Sequence, residues 1–132
     1  MGAWGAGAFE NDAARDFAFA VCDGGGVTVI EDAFDHVLDA DDDDLEAPTA
    51  EEAIAAAAIV ARLKDGVPLT DNRLEGWIAQ DRPTTSPNLI AKASACLQRA
   101  ITAPSELLDL WQDTEEFADF QAGVDDLLRR LD

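Results

Sequence analysis

The hydrophobic pattern is that of helices along nearly the whole chain, and it centres on residues 53–61, Ala-Ile-Ala-Ala-Ala-Ala-Ile-Val-Ala. Alanine favours a helix because it loses no side-chain entropy on becoming helical. A helix that is apolar on every side has to be buried, and this one is too short for a bilayer, which needs about 20 apolar residues. The pattern predicts a central helix over about 49–64, begun by a capping box of Thr49 and Glu52 and ended at Gly66.

Before the central helix, apolar residues recur at spacings of three and four, which predicts two amphipathic helices. Asn11 or Asp12 is expected to cap the first, which ends before the glycines at 24–26. Thr28 and Glu31 have the spacing of a second capping box. The stripe of the second helix consists of Val27, Ile30, Phe34, Val37 and Leu38.

After the central helix, the same spacings predict three or four more helices. Leu74, Trp77 and Ile78 indicate a short one. Ser86 is expected to cap the next, with Pro87 in its first turn. A short helix around Trp111 follows, and Thr114 is expected to cap the last. Its stripe is the most regular of all: Phe117, Phe120, Val124, Leu127 or Leu128, and Leu131.

These patterns predict an all-α protein, a single-domain bundle of six to seven helices over residues 1–132. Residues 40–48 are expected to form a solvated loop, because Asp41 to Asp44 are like charges in a run. A glycine-rich segment, residues 1–10, is expected to pack on the bundle through Trp4 and Phe9.

Acidic residues dominate the chain, with 28 Asp and Glu against 9 Lys and Arg and a formal net charge of −19. Residues 1–61 contain fifteen acids and a single base, Arg15. Such a charge repels nucleic acid and anionic membranes and attracts a basic protein. Solubility, or adaptation to high salt, explains the same composition, and the sequence leaves both explanations open.

The expected compartment is the cytoplasm, because the chain opens with no basic segment followed by an apolar run of the kind that forms a signal peptide. Cys22 and Cys96 lie in apolar helical contexts without Cys-x-x-Cys spacing. They are therefore interpreted as buried thiols.

One cluster of residues has metal-ligating chemistry. Asp32, His36 and Asp39 share the helical face opposite Phe34, and they could hold a divalent metal or supply a general base. The simpler interpretation is a solvated polar face.

The acidic run that follows resembles part of a calcium loop. Asp39, Asp41 and Asp43 have the spacing of its first ligands, but Asp44 replaces the required glycine and Ala50 the bidentate glutamate. A specific calcium site is not expected here, nor is any cofactor.

The opening stretch, residues 2–12, reads Gly-Ala-Trp-Gly-Ala-Gly-Ala-Phe-Glu-Asn-Asp. It resembles the Gly-x-Trp-Gly-x-Gly-x-Phe and Asp/Glu-Asn-Asp signature that opens a bacterial family, domain of unknown function 4259. Ser105-Glu106-Leu107, leading to Leu110-Trp111, is a second point of likeness. The resemblance implies a small cytoplasmic bacterial protein, and it implies no catalytic residue, ligand or cofactor.

Two functions follow as hypotheses. The first is a non-enzymatic interaction module, of the immunity type or another binder of a basic partner, with Trp4 and Asp41, Asp42, Asp43 and Asp44 as partner-binding residues. The alternative is a divalent-metal-binding module or metal-assisted hydrolase that uses the Asp32, His36 and Asp39 face. A homodimer, in which the more basic residues 62–99 meet an acidic face, is a further alternative. The sequence identifies no catalytic residue.

Overall fold

The computed structural model describes residues 7–9, 11–39 and 45–132, and within these ranges the protein consists of α-helices without a strand. The predicted all-α bundle is therefore confirmed. The predicted partner-binding residues Trp4 and Asp41–Asp44 lie outside the described residues. The helices are α1 (Asp12–Ala20), α2 (Gly26–Leu38), α3 (Ala47–Asp65), α4 (Asn72–Asp81), α5 (Pro87–Ala100), α6 (Glu106–Gln112) and α7 (Phe117–Leu131).

The central position of the alanine-rich helix is confirmed. In α3, every residue from Ala53 to Ala61 is buried. The helix contacts α1, α2, α5, α6 and α7, so neighbours cover it on all sides. Small alanine side chains let those helices approach closely. At its end Gly66 has φ 78°, the left-handed conformation that glycine adopts without strain, as predicted.

The predicted start of α3 is wrong, because the helix begins two residues earlier, at Ala47, within the predicted 40–48 loop. Thr49 and Glu52 therefore form no capping box. The free N–H of Ala47 instead donates to Oε1 of Glu106, at 2.9 Å. Just before it, Leu45 forms an isolated parallel bridge with Ser105. A residue 59 positions away thus supplies the cap.

The first two helices are joined by a kinked helical turn, Val21–Gly25, rather than by a loop. Asn11 caps α1, and its side chain accepts from the N–H of Ala14 at 2.7 Å. Gly24 turns the chain with φ 97°, and α2 begins directly at Gly26. The predicted Thr28–Glu31 capping box is wrong, because both residues lie inside α2.

Local caps were predicted correctly for α5 but not for α7. The Ser86 side chain accepts from the N–H of Leu89 at 3.2 Å, with Pro87 first in the helix. Thr114 does not cap α7, because its hydroxyl donates to the carbonyl of Trp111 at 2.8 Å and so closes the end of α6. Glu116 is the N-cap residue of α7.

The predicted apolar stripes largely form the core. Trp77 is buried on α4, and Phe120, Val124, Leu127 and Leu131 are buried on α7. Leu38 is an exception, with 41% of its surface exposed at the end of α2. Among the described helices, none is long and apolar enough to span a membrane.

Both cysteines are free thiols, but the predicted burial is confirmed only for Cys96. Cys96 is buried and donates to the carbonyl of Phe34 at 3.4 Å. Cys22 is half-buried, and its Sγ lies 3.6 Å from the carbonyl oxygen of Arg73.

Candidate interaction surface

The three predicted metal-face residues occupy the outer side of α2 and its C-terminal end. Asp32, His36 and Asp39 are all exposed. Within residues 7–9, 11–39 and 45–132, no three His, Cys, Asp or Glu side chains are grouped so that they could hold a metal ion.

The structure does bring two of these residues into a small pocket of about 270 Å³ between α1, α2 and α3. Asp32 and His36 line it together with Asp16 of α1 and Glu52 of α3, whereas Asp39 does not. Its apolar lining is formed by Phe17, Ala20, Val29 and Ala33. The pocket therefore offers three carboxylates and one imidazole around an apolar floor.

At the two glutamates near the start of α3, partial burial disfavours the ionised form of the carboxyl group. Burial raises the pKa of Glu51, and the nearby Asp12 carboxylate raises it further. Burial also raises the pKa of Glu52; His36 opposes this shift, while Asp16 adds to it. A cation placed beside either side chain would stabilise its ionised form.

A larger groove, of about 840 Å³, is lined by other residues of α3. Its floor is apolar and comes from buried residues of α3, α6 and α7: Ile54, Ala58, Leu107, Phe120, Val124 and Leu127. Residues 7–9, before α1, and residues 68–70, after α3, also line the groove. The Trp111 ring lines one wall and stacks on Phe120, with 5.5 Å between the ring centroids. We call this feature the α3/α6/α7 groove.

The charges on the α3/α6/α7 groove are mainly negative. Glu51, Glu116, Asp119 and Asp126 line it, against one base, Arg130. Arg130 is already bound to Asp65 through two hydrogen bonds of 2.7 and 3.0 Å. These bonds lower the pKa of Asp65 to about 2 and join the ends of α3 and α7.

Most basic side chains are held by partners within the molecule. In the described part of the chain, such contacts engage every Lys and Arg except Arg15 and Arg82. Arg62 pairs with Glu75, Lys92 with Glu31 and Asp35, Arg129 with Asp126, and Arg130 with Asp65; Lys64 donates to the carbonyls of Arg130 and Asp132, Arg99 donates to that of Thr102, and the Arg73 guanidinium lies 3.6 Å from the Phe19 ring centroid.

The carboxylates of α1 and the outer side of α2 have no such counter-ions. Asp12, Asp16, Asp32 and Asp39 are exposed and take part in no ion pair among the described residues. We call these four residues the acidic face. Sequence patterns single out Asp32 and Asp39 of this face but not Asp12 or Asp16. They also miss Glu51, Glu52 and the α3/α6/α7 groove, since these depend on which helices pack together.

Fold and surface together define an acidic α-helical bundle with a charged face and a negatively rimmed apolar groove. The chain belongs to the family described as domain of unknown function DUF4259, whose family model matches residues 2–123. The resemblance of the opening stretch is thereby confirmed at the level of the family. No curated protein and no solved structure matches the chain significantly.

Proposed function

We propose that this chain is a non-enzymatic interaction protein of the bacterial cytoplasm, whose acidic surface binds a basic protein partner. Neutralising a toxin, as an immunity protein does, is one form of this function. The family resemblance favours the bacterial cytoplasmic setting, and the charge distribution favours the basic partner.

One observation carries the proposal: among the described residues, every Lys and Arg except Arg15 and Arg82 has a partner within the molecule, while the four carboxylates of the acidic face have none. Asp12, Asp16, Asp32 and Asp39 are exposed to solvent and form no ion pair among the described residues. Uncompensated charge on one face attracts an oppositely charged partner and speeds its association. A composition adapted only for solubility would not require the basic side chains to form contacts within the molecule.

The experiment is an affinity capture that compares three baits at low ionic strength. They are the wild type, a variant in which the four residues of the acidic face become Asn, and a matched control. The control changes four exposed carboxylates elsewhere by the same total charge: Asp81→Asn, Asp109→Asn, Asp113→Asn and Asp125→Asn.

We expect the wild type and the control to retain a basic protein, which elutes as the salt concentration rises. The acidic-face variant should not retain this protein. Calorimetry with the purified partner should then give a binding constant that falls steeply with salt concentration. Failure to retain any basic protein, or equal retention by both variants, contradicts the proposal.

The second candidate is a divalent-metal-binding module or metal-assisted hydrolase. One observation favours it: the small pocket gathers Asp32 and His36 with carboxylates from two other helices. It ranks second because the described residues contain no three-ligand metal group. A thermal shift on adding Zn²⁺ or Mn²⁺ that His36→Ala abolishes would support it, and the absence of any shift would remove it.

A homodimer that joins residues 62–99 to the acidic face is the weakest alternative. Arg62, Lys64 and Lys92 supply much of the positive charge in that range, and each already has an internal partner. Sedimentation at low salt tests the dimer directly.

A further inference from the structure

We propose that the α3/α6/α7 groove receives an amphipathic segment of the basic partner, with apolar side chains on the groove floor and Lys or Arg at its rim. This inference rests on the proposed function and names the place and the chemistry of the contact. The acidic face would then attract the partner, and the groove would hold it.

The shape of the groove favours a peptide segment over a small molecule. Its lining follows α7 from Glu116 to Arg130, which at 1.5 Å per residue is about 21 Å. That length matches about 14 residues of a partner helix. A helix that lays its apolar side into a groove is a common mode of peptide recognition.

The floor and the rim together set the chemistry of the segment. Trp111 is only partly buried and offers aromatic surface to an apolar side chain, of the kind that forms binding hot spots. The buried Phe120 ring stacks behind it and holds it in place. Glu51, Glu116 and Asp119 lie at the groove without an ion pair among the described residues. An acidic segment would meet repulsion, whereas a basic one would supply the cation that partly buried Glu51 lacks.

Gly123 makes the groove testable. It lines the groove on α7, and a Cβ built at this position would meet no atom within 4 Å. The backbone at Gly123 therefore has room for a side chain, and we expect Gly123→Leu to obstruct the groove. Gly76→Leu on α4 is the matched control, because Gly76 is equally open and lines neither cavity.

Two probe peptides of about 14 residues, the length of the groove, separate the groove from general charge attraction. One has leucines on one helical side and lysines on the other; the second has the same lysines but glycines in place of leucines. Binding is measured by fluorescence polarisation at about 0.05 M salt. Amide chemical shifts in ¹⁵N-labelled protein locate the contact.

We expect the Leu–Lys probe to bind about tenfold or more tightly than the Lys–Gly probe and to shift the amides of α6 and α7. Gly123→Leu should remove that advantage, leave the Lys–Gly probe unchanged and retain the helical circular dichroism of the wild type. Gly76→Leu should bind both probes as the wild type does.

Equal binding of both probes, or indifference to Gly123→Leu, overturns the groove proposal alone. Absence of binding by either cationic probe contradicts the proposed function itself. Binding of the Leu–Lys probe only after residues 2–6 are deleted would assign the groove to the chain's own start. A dimer abolished by Gly123→Leu would assign it to a second copy, and either result overturns the proposal.

Discussion

Gly25 shows how a single residue fixes the junction between α1 and α2. Its φ is ordinary, at −73°, so its requirement is space and not backbone conformation. A Cβ at this position would lie 2.6 Å from the carbonyl oxygen of Ala20 and would also collide with Val29. The neighbouring glycine, Gly24, is needed for the opposite reason, because its φ is 97° with open space around it.

Gly25→Ala is therefore expected to destabilise the protein by about 1–3 kcal/mol, the usual cost of overpacking. Gly76→Ala is the control: it lies inside α4 with open space, and alanine there should stabilise by about 0.5–1 kcal/mol. Urea unfolding measures both. A neutral Gly25→Ala variant would mean that α1 and α2 can separate without cost.

Cys96 is a thiol that the fold makes unreactive. Burial raises its pKa to about 12, and the Asp35 carboxylate adds to the shift. Because the thiolate is the nucleophile, native Cys96 should not react with a disulfide reagent at neutral pH, whereas half-buried Cys22 should react slowly. Thiol titration should detect both cysteines only after unfolding. Native Cys96→Ser should react as slowly and to the same extent as the native wild type, because Cys22 alone reacts in both; two reactive thiols in the native wild type would contradict this.

At the scale of the element, α3 depends on the small size of its side chains. Ala57 is fully buried among neighbouring helices, so Ala57→Leu should destabilise by about 1–3 kcal/mol or more. Ala122→Leu, on the exposed side of α7, should change stability by less than about 0.5 kcal/mol. Thermal unfolding of both variants measures the difference, and equal melting temperatures would show that α3 is not tightly enclosed.

The helices could be predicted from sequence, but several of their boundaries could not. Ser86 was found because its hydroxyl caps a helix three residues away, which is a local relation. The start of α3 was missed because Glu106 reaches it from a distant part of the chain. Thr114 was misassigned because it has two helix ends within reach, and it closes the earlier one.

The candidate surface divides in the same way. Helical spacing groups Asp32, His36 and Asp39 from the sequence, because all three belong to one stretch of chain. Glu52 could not be added to Asp32 and His36, because it comes from α3 and meets them only when three helices pack. No local pattern marks the α3/α6/α7 groove, since its lining comes from separate helices and from two connecting segments.

For the whole molecule, pH is expected to change stability in two opposite directions. The raised pKa values of Glu51 and Glu52 mean that the folded protein binds protons more readily than the unfolded chain. The free energy of unfolding should therefore rise as pH falls from 7 towards their ordinary value of 4.5. Asp65 acts oppositely: its contribution, present above its ordinary value of 3.8, is lost as pH falls to about 2.

Urea unfolding along this pH range measures the effect, with the double variant Glu51→Gln and Glu52→Gln as the control. The variant should be more stable than the wild type at pH 7 and should gain less on acidification. A wild type that loses stability steadily from pH 7 downwards would contradict this assignment.

Salt should stabilise the folded protein, because the net charge of −19 makes the compact state repel itself. The melting temperature is expected to rise between about 0.02 M and about 0.5 M NaCl, as the screening length shortens. The acidic-face variant should be more stable at low salt and respond less. A melting temperature that falls with salt would indicate that the internal ion pairs outweigh the repulsion.

The engagement of the basic residues within the fold has a kinetic consequence. In dilute buffer, at separations of several nanometres, two copies of this molecule repel each other because both carry a net negative charge. A positively charged protein is attracted over the same distance. Charge then governs the association rate of a complex, and the packing of its apolar contacts governs the dissociation rate. Partners of similar charge would thus have similar association rates, and the protein would discriminate between them by the lifetimes of the complexes.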